Sequence, residues 1–526
     1  MIEGCDIIGE YINCLNYPMN DSLKSDLEGQ RKVRLEKLQK IKELGINPYP
    51  SKTNRDIEIG SIKKEFEKYE GSVHTVVGRI TGWREHGKLI FADIKDPSGS
   101  IQIILKSEWL KKGLSEGYLE WEHLELLDLA DFIEVTGKIG KSKTEEISIL
   151  GESVRLLTKA LRPIPRKLLD KEQMFRRRYL DLTINQERIE LFKRKAKFWE
   201  VQREFLKNEG FIEVETPVLE NVTGGADAKP FVTHHNALGI DLYLRISTEL
   251  YQKRLIGGGF EKIYTFGPNF RNEGMDDEHL PEFYDIEWYW AYANFRDNME
   301  LVKRLFLEIA QKIYGKTKFT TRGHTFDLAD EWEEIDYTEI LKKNFNVDIL
   351  NAPEEDMLKA IKDKGLEVEE GMNRNRMIDS MWKYARSSIS GPAFLVNHPM
   401  FVSPLAKSKE EEPKLTERFQ VIIAGSELGN GYSEINDPQD QLMRFLEQQK
   451  LRESGDEEAQ MLDIDFVEML EYGMPPVSGY GQSERVFWFL EDVTAREGTL
   501  FPQMKPELEQ STKKIYKDIL PKVKKK

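Results

Sequence analysis

The stretch Phe270–Phe295, FRNEGMDDEHLPEFYDIEWYWAYANF, combines an Arg-x-Glu triplet, a His-x-Pro-Glu-Phe sequence and a Glu-Trp-Tyr triplet. Because side chains alternate along a β-strand, Arg271 and Glu273 are predicted to lie on the same face of a strand. A guanidinium can bind a phosphate or a carboxylate, a carboxylate can accept from an amino group, and the ring of Phe283 can stack on a base. Taken singly, these residues would equally suit a surface ion pair and a core phenylalanine, so their meaning depends on the rest of the chain.

The bulk composition limits the classes of protein that fit. A length of 526 residues suggests two to four domains, and the net charge of −15, from 92 acidic and 77 basic residues, argues against extensive coating of nucleic acid. Cys5 and Cys14 have no spacing typical of a zinc site or a disulfide framework. No segment resembles an export signal or a membrane span, so the protein is predicted to be cytoplasmic and not bound to a membrane.

The first third of the chain predicts a helical extension followed by a small β-barrel. Within the extension, residues 1–70, the segment 31–44 reads as an amphipathic basic helix, which suits either a phosphate-facing surface or a solvated one. Residues 71–160 contain about five short strands separated by turn residues, a pattern that fits an oligonucleotide-binding (OB) barrel as well as other small barrels. Two prolines in residues 161–175 predict a stiff linker.

The remainder of the chain, residues 176–510, predicts one large domain of helices and strands. A long helix is expected to end at Gly210, and the sequence FIEVETPVL that follows is predicted to be a strand that ends at Pro217. Charged helical stretches predict a helical insertion at about residues 297–390, and residues 511–526 form a basic tail.

Three segments in fixed order connect this domain to a known family. EGFIEVETPVL, FRNEG…HLPEF and GYGQSERVFWFLED resemble the three motifs of class II aminoacyl-tRNA synthetases. The segments RRRYLDL, ELYQKRL, NHPMFVSPLAK and ELGNGYSEINDPQDQ narrow the resemblance to lysyl-tRNA synthetases, from about Arg31 to Glu507. The implied fold is α+β: an N-terminal OB-fold barrel joined to a class II catalytic domain with an antiparallel sheet flanked by helices.

The resemblance implies ATP-dependent activation of L-lysine and its transfer to the 3′ end of tRNA(Lys). Arg271 would hold the α-phosphate and the substrate carboxylate, while Arg485 would reach the γ-phosphate; both are expected to be catalytic. The expected ATP-binding residues are Arg271, Glu273, His279, Phe283, Glu427 and Arg485.

The amino-acid pocket implied by the resemblance is acidic. A buried substrate ammonium needs acceptors and compensating negative charge, which carboxylates and a phenol supply. Glu287, Tyr289 and Glu434 would surround the side-chain ammonium, and Glu249 with the backbone near Gly224 and Gly225 would face the α-ammonium. The expected lysine-binding residues are Gly225, Glu249, Arg271, Glu287, Tyr289, Asn430 and Glu434.

Three positions depart from the family pattern. The family binds Mg²⁺ with two acids seven residues apart, which correspond to Gln420 and Glu427, so one carboxylate is replaced by an amide. Gln420 can still offer its carbonyl oxygen with less charge, or another acid such as Glu417 can reach the metal instead. The third motif is one residue short near Ser483, and Leu280 stands where the family more often has asparagine.

In the barrel, the resemblance implies that Phe91, Gln102 and Glu146 read the anticodon of tRNA by stacking and by contacts to base edges. The first motif implies a homodimer. Two other hypotheses stay open at this point. The chain could be a relative specific for aspartate or asparagine, or a catalytically impaired paralogue that serves as an RNA-binding or regulatory protein.

Overall fold

The computed structural model describes residues 27–112, 117–165, 167–168, 170–368 and 372–519. Cys5, Cys14 and the first part of the predicted extension lie outside the described residues. The chain divides into two compact units. One consists of Met1–Lys167 together with Lys505–Lys526, and the other of Leu168–Met504.

The first unit is built on a closed five-stranded barrel, as predicted. Its strands follow each other in the order β1-β2-β3-β5-β4, and all neighbouring pairs are antiparallel except β3 with β5. The strands are β1 (Val73–His86), β2 (Leu89–Asp96), β3 (Gly99–Lys106), β4 (Phe132–Lys141) and β5 (Ile147–Thr158). Alternate apolar side chains fill the barrel interior, in accord with a period of two.

Helices from both ends of the chain complete this unit. They are α1 (Leu27–Glu43), α2 (Ile59–Lys64) and α3 (Phe66–Tyr69), with α15 (Gln510–Ile515) near the other end of the chain. The ring of Tyr516 lies 5.7 Å from the guanidinium carbons of both Arg31 and Arg162. Residues 505–519 are therefore grouped with the barrel unit through long-range packing, which leaves no local signal in the sequence.

The second unit is organised by an eight-stranded sheet in the order β14-β15-β16-β17-β18-β11-β10-β6. Its central pairs are antiparallel, and the two edge pairs, β14 with β15 and β10 with β6, are parallel. The strands are β6 (Ile212–Glu213), β10 (Lys262–Phe270), β11 (Glu282–Ala291), β14 (Glu333–Asp336), β15 (Ala393–Val396), β16 (Arg418–Ile423), β17 (Ser426–Ser433) and β18 (Val477–Ser483).

Two smaller sheets accompany the large one. A three-stranded sheet has the order β7-β9-β8, and a hairpin pairs β12 with β13. These strands are β7 (Leu219–Glu220), β8 (Val232–His235), β9 (Ile240–Leu244), β12 (Lys318–Thr321) and β13 (His324–Asp327). The predicted strand FIEVETPVL is thus two short pieces, β6 and β7, because Pro217 and the residues around it leave the sheet between them.

Helices cover the sheet and end where local chemistry predicts. They are α4 (Lys171–Arg176), α5 (Arg178–Ile184), α6 (Glu187–Asn208), α7 (Glu249–Gly257), α8 (Phe295–Ile309), α9 (Tyr337–Phe345), α10 (Glu354–Asp363), α11 (Arg374–Arg386), α12 (Pro438–Glu453), α13 (Ile464–Tyr472) and α14 (Arg485–Glu491). Gly210, at φ +88°, follows α6 as expected for the end of a helix. Asn294 and Asp297 form a capping box at the start of α8.

The region 297–390 is only partly a separate insertion. Helix α8 packs into the main core beside the sheet, and β14 is the edge strand of that sheet. Helices α9–α11 pack around a second cluster, which includes Leu341, Ile361 and Trp382 and also residues of β15 and β16. The helical charge pattern of the sequence did not reveal that the first helix is an integral part of the core.

Within the described ranges, no helix is long and apolar enough to cross a bilayer.

Candidate active site

A cavity of about 450 Å³ lies over the middle of the large sheet and opens to solvent. All of the site residues predicted for the catalytic domain line it. They are Gly225, Glu249, Arg271, Glu273, His279, Phe283, Glu287, Tyr289, Gln420, Glu427, Asn430, Glu434 and Arg485. They come from β11, β16, β17, the starts of α7 and α14, the loop after β10, and the loops that carry Gly225 and Glu434, so the fold gathers residues that are far apart in sequence. Glu417 is not part of this lining.

Arg271 and Glu273 reach the cavity from a loop, which corrects the prediction that they share a strand face. Strand β10 ends at Phe270, and the N–H of Arg271 donates to the carbonyl of Pro281 at 2.8 Å. The N–H of Glu273 then donates to the carbonyl of Arg271 at 2.9 Å. The chain turns tightly here, so the alternation of a strand does not apply.

The guanidinium of Arg271 is available for an anion. Its Nε is buried and has no hydrogen-bond partner among the described residues. The guanidinium carbon lies 5.1 Å from the centre of the Phe283 ring, which supports the charge from one side. A buried donor without a partner is costly, so this arrangement fits a phosphate or carboxylate as the missing acceptor.

The floor of the cavity holds Glu287, which is fixed by several donors. Its carboxylate accepts from the Tyr289 hydroxyl at 2.6 Å, from the Thr248 hydroxyl at 2.7 Å and from the Thr248 N–H at 3.2 Å. The Ser247 hydroxyl adds contacts at 3.2 and 3.3 Å. These donors hold a negative charge in place beneath the cavity, because an ionised carboxylate is stabilised by several hydrogen bonds.

Next to Glu287, a buried lysine of the chain itself lies between two more acids. Nζ of Lys253 is 2.5 Å from Oε1 of Glu249 and also contacts Glu434. The Tyr432 hydroxyl donates to the second oxygen of Glu249 at 2.7 Å. Glu249, Glu287 and Glu434 therefore have one ammonium between them, and the cluster can accept further positive charge.

Burial determines the protonation of this cluster. Burial raises the pKa of Glu434 well above its ordinary value and also raises that of Glu249, while Lys253 acts in the opposite direction on both. Burial and the neighbouring Glu249 raise the pKa of the Tyr289 hydroxyl well above its ordinary value, which keeps it a donor. A cation bound next to these carboxyl groups would therefore stabilise their ionised forms.

Two glycines leave the space in which a ligand could lie. Gly225 has φ +87°, and a Cβ there would lie 2.7 Å from the Ser247 hydroxyl and 2.8 Å from Cβ of Glu249. On β18, a Cβ on Gly479 would lie 2.5 Å from Oε1 of Glu434. Any side chain at either position would fill the acidic end of the cavity.

The opposite end of the cavity is formed by Arg485, the first residue of α14. Its Nη1 donates to the Glu427 carbonyl at 2.8 Å, and its Nη2 contacts Nε2 of His279. Nδ1 of His279 lies 2.9 Å from the carboxylate of Asp276. Burial and the nearby Arg485 lower the pKa of His279, so the ring is neutral at neutral pH, donates from Nδ1 and accepts at Nε2.

The shortened third motif still brings Arg485 to the cavity. Ser483 ends β18, and its hydroxyl accepts from the N–H of Arg485 at 3.2 Å. Glu484 is buried between them and pairs with Lys195 of α6. Leu280, where the family more often has asparagine, is buried and contributes an apolar wall.

A tight hairpin brings Gln420 of β16 and Glu427 of β17 together. The turn contains Ala424 and Gly425, both at positive φ, and Nε2 of Gln420 donates to Oε2 of Glu427 at 2.8 Å. Oε1 of Gln420 lies 2.9 Å from Nε2 of His398.

The barrel residues predicted to read RNA lie on neighbouring strands of the first unit. Phe91 is on β2 and half-buried, Gln102 is on β3, and Glu146 is exposed just before β5. Nε2 of Gln102 donates to Glu146 at 3.0 Å, and its Oε1 accepts from the Ser148 hydroxyl at 3.1 Å. Gln102 and Glu146 are thus held together, with the carboxylate edge open to solvent.

Comparison with known proteins agrees with this geometry. Residues 170–505 match the family described as tRNA synthetases class II (D, K and N), and residues 74–157 match the OB-fold nucleic acid binding domain. A lysine–tRNA ligase of Thermotoga maritima is 44% identical over 488 residues, covering 91% of this chain and 96% of the relative. The lysine–tRNA ligase of Fervidobacterium nodosum is 43% identical, with 91% and 95% covered, and that of a Roseiflexus strain is 42% identical, with 91% and 99% covered.

The chain belongs to the class II lysyl-tRNA synthetase family. The predictions of an OB-fold barrel, a class II catalytic domain and this family are therefore confirmed. An aspartate- or asparagine-specific relative is disfavoured, since the similar proteins over nearly the full length are lysine–tRNA ligases.

Family membership implies Mg²⁺, and the residues here fit the family's two-acid ligand set poorly. Among the described residues, no group of three or more His, Cys, Asp or Glu could hold a metal ion. Glu427 already accepts from Gln420 and, at 2.6 Å, from the indole N–H of Trp382. The amide of Gln420 presents its N–H to Glu427 and not its oxygen, so the pair as found does not form a cation site.

Sequence reasoning missed several residues of this synthetase site. Lys253 stands four residues after Glu249 and reads as a surface ion pair, and Tyr432 reads as a core aromatic residue. Trp382 and Arg386 belong to α11, in the segment interpreted as an insertion, yet both contact the hairpin that carries Glu427. Glu278 lies within the stretch Phe270–Phe295, where it pairs with Arg322 and accepts from Ser426 at 2.7 Å. For Glu278, the sequence signal was its position within the second class II motif.

Proposed function

We propose that this protein activates L-lysine with ATP and transfers the lysyl group to the 3′ end of tRNA(Lys), using the cavity residues in the roles set out below. The observation that carries the proposal is the chemistry of the cavity: three carboxyl groups with one internal ammonium at one end, and nearby Arg271, whose Nε has no hydrogen-bond partner among the described residues. L-Lysine has two ammonium groups and one carboxylate, so its charges complement both features.

In this proposal the acidic end selects the amino acid. The side-chain ammonium of lysine is accepted by Glu287, Glu434 and the Tyr289 hydroxyl oxygen, and the α-ammonium by Glu249 near the backbone of Gly225. Asn430 lines the same cavity, where its side-chain oxygen accepts from Arg418 at 2.8 Å. An uncharged side chain of equal length would leave the buried carboxylates without compensation, which disfavours it by several kcal/mol.

The arginine end binds the nucleotide. Arg271 holds the α-phosphate and the lysine carboxylate, Phe283 and Arg485 cover the two faces of adenine, and Glu273 accepts from the adenine amino group. Arg485 and neutral His279 lie where the outer phosphates would extend. The loop turn that carries Arg271 and Glu273 brings both residues to the cavity, which supports these roles.

Adenylate formation then needs no side-chain nucleophile. A carboxylate oxygen of lysine attacks the α-phosphorus, the bond between the α-phosphorus and the bridging oxygen breaks, and diphosphate leaves with the electron pair. Arg271 neutralises charge at the phosphorus and fixes the two reactants at attack distance, which supplies the electrostatic and proximity contributions to rate. A hydroxyl oxygen of the terminal tRNA nucleotide then attacks the lysyl carbonyl, the bond between the carbonyl carbon and the phosphate oxygen breaks, and AMP leaves with the electron pair while the hydroxyl proton passes to its phosphate. Mg²⁺ is proposed as the counterion of the ATP phosphates, and no step is assigned to it.

The barrel supplies the second contact with tRNA. Phe91 would stack on an unpaired anticodon base, and the edge formed by Gln102 and Glu146 would bind its polar groups. The pair is already hydrogen-bonded, so little side-chain freedom is lost on binding.

We further propose a homodimer in the cytoplasm. The small sheet β7-β9-β8 and strand β6 expose apolar side chains, namely Ile212, Leu219, Val232 and Ile240. An exposed apolar surface of this kind favours a self-complementary interface between two copies. Light scattering at micromolar concentration would give twice the mass of one chain, and a fully active monomer would contradict the dimer.

Lysine-dependent exchange of diphosphate into ATP tests the proposed function. Each of the twenty amino acids is supplied in turn, and lysine alone is expected to support rapid exchange, followed by charging of tRNA(Lys). Exchange with aspartate or asparagine would overturn the assignment of the pocket. Absence of exchange with all amino acids, in a protein that still binds tRNA, would favour the impaired paralogue.

A further inference from the structure

The side chain of Gln420 lies at the centre of a buried chain of hydrogen bonds beside the proposed ATP site. Its Oε1 is 2.9 Å from Nε2 of His398, and its Nε2 is 2.8 Å from Oε2 of Glu427. On the far side, Oε1 of Glu427 accepts from Nε1 of Trp382 at 2.6 Å. Gln420 and His398 are 8% and 2% exposed, so water does not compete readily for these contacts.

The chemistry of the partners fixes the orientation of the amide. An ionised carboxylate can only accept, so Gln420 must present its NH₂ group to Glu427. Its carbonyl oxygen is then turned toward His398, which must donate from Nε2. Nδ1 of His398 is buried, and the ring is assigned the form protonated at Nε2 because Gln420 offers it an acceptor.

Helix α11, which carries Trp382, also contacts the hairpin of Glu427 through Arg386. Nη1 of Arg386 donates to the Gly425 carbonyl at 2.7 Å and to the Ser426 hydroxyl at 3.2 Å, and Nε of Arg386 is 3.9 Å from Oε1 of Glu427. Helix α11 therefore contacts the hairpin between β16 and β17 on one side. On the other side, His398 contacts Gln420 of β16.

We propose that Gln420 is a positioning residue that orients Glu427 for Mg·ATP, and that His398 withholds the Gln420 carbonyl from any metal. This proposal rests on the proposed function. It replaces the expectation that Gln420 is a weakened metal ligand with a different role. A glutamate at this position would face Glu427 as a second negative charge and require a cation between them, whereas the amide supplies a donor and needs none. The protein itself then contributes one carboxylate toward the metal and not two.

Binding of Mn²⁺ distinguishes the two roles without a measurement of turnover. Electron paramagnetic resonance counts the Mn²⁺ bound per chain in the presence of lysine and the α,β-methylene analogue of ATP, which cannot release diphosphate. The variants are Gln420→Met, which has similar length without an amide, Gln420→Glu, and Glu427→Gln as the ligand control. We expect the same number of Mn²⁺ in Gln420→Met as in wild type, one additional Mn²⁺ in Gln420→Glu, and at least tenfold weaker binding in Glu427→Gln.

Two results would overturn the proposal. A Mn²⁺ lost in Gln420→Met would make Gln420 a ligand, because thioether sulfur does not replace an oxygen ligand for a hard cation. An unchanged number of ions in Gln420→Glu would also contradict it, since that position would then already be a ligand position. Thermal unfolding is recorded for each variant, and Gln420→Leu replaces the methionine variant if the latter does not fold.

The positioning role has its own signature in kinetics. In Gln420→Met, KM for Mg·ATP should rise about tenfold while KM for lysine stays near the wild-type value, because Glu427 lies at the nucleotide end. Equal increases in both KM values would indicate a general structural role and contradict positioning. Lysine-dependent exchange by the wild-type protein separately tests the proposed function, so the two failures are distinguishable.

Discussion

Nζ of Lys253 lies 2.5 Å from Oε1 of Glu249, one turn earlier on helix α7, and the lysine side chain is fully buried. The same ammonium contacts Glu434, which comes from the loop after β17. Burial acts to lower the pKa of Lys253, but Glu249 and Glu434 together raise it above its ordinary value, so the lysine stays charged. One internal cation thus stabilises the buried carboxyl groups beneath the cavity, and their remaining acceptor capacity is left for a second cation.

Substitution of this internal cation should be strongly destabilising. In Lys253→Met, two buried carboxylates lose their counterion, and removing one partner of a buried ion pair costs about 3–5 kcal/mol. Urea unfolding measures the loss. Lys193→Met on α6 is the matched control, because its pair with Glu190 is largely exposed and contributes about 0–1 kcal/mol. Equal stability of the two variants would contradict a charged buried Lys253.

The cluster also predicts a pH dependence of lysine binding. The pKa values of Glu249 and Glu434 are raised in the empty fold, so the stability they contribute is fully present below their ordinary pKa and is lost as the pH rises through the raised pKa. A bound ammonium favours the ionised forms and offsets this loss. The increase in melting temperature produced by a fixed concentration of L-lysine should therefore grow from pH 6 to pH 8. An increase that is constant or declines over this range would show that these carboxyl groups do not face the ligand.

Glu434→Gln should weaken lysine binding far more than ATP binding. The change removes one negative charge from a desolvated ammonium site, at a cost of about 2–5 kcal/mol. KM for lysine in diphosphate exchange is the measurement, and KM for ATP in the same preparation is the internal control. An unchanged KM for lysine would remove Glu434 from the pocket.

In the barrel, Phe91→Ala should affect the charging of tRNA but not the activation of lysine. Lysine-dependent diphosphate exchange stays intact, while kcat/KM for tRNA charging falls by the equivalent of about 1–3 kcal/mol of lost stacking. Phe91→Tyr keeps an aromatic face and should charge tRNA nearly as well as wild type. Equal losses in exchange and charging would instead assign Phe91 to the barrel core.

Features with a local sequence pattern were predictable, and contacts between residues far apart in the chain were not. The barrel and the class II domain were predictable because short strands, turns and ordered motifs leave local signals. The strand assignment of Arg271 and Glu273 was wrong, because a period of two does not say that β10 ends at Phe270. The spacing of Glu249 and Lys253 gave no sign of burial.

Contacts between distant segments were the least predictable part of the site. His398 and Gln420 are 22 residues apart, and Trp382 reaches Glu427 from a helix that was interpreted as part of an insertion. The pairing of β15, β16 and β17 and the packing of α11 against that part of the sheet bring these side chains together. The hydrogen bond between Gln420 and Glu427 could therefore not be predicted from any sequence motif.

Comparison of L-lysine with L-norleucine in diphosphate exchange tests the central claim most directly, because norleucine is lysine without the side-chain ammonium. Glu287 and Glu434, which accept the side-chain ammonium in this account, should make kcat/KM for norleucine lower than that for lysine by at least about a thousandfold, equivalent to about 4 kcal/mol. Norleucine that supports exchange within tenfold of lysine would contradict selection of the substrate by charge.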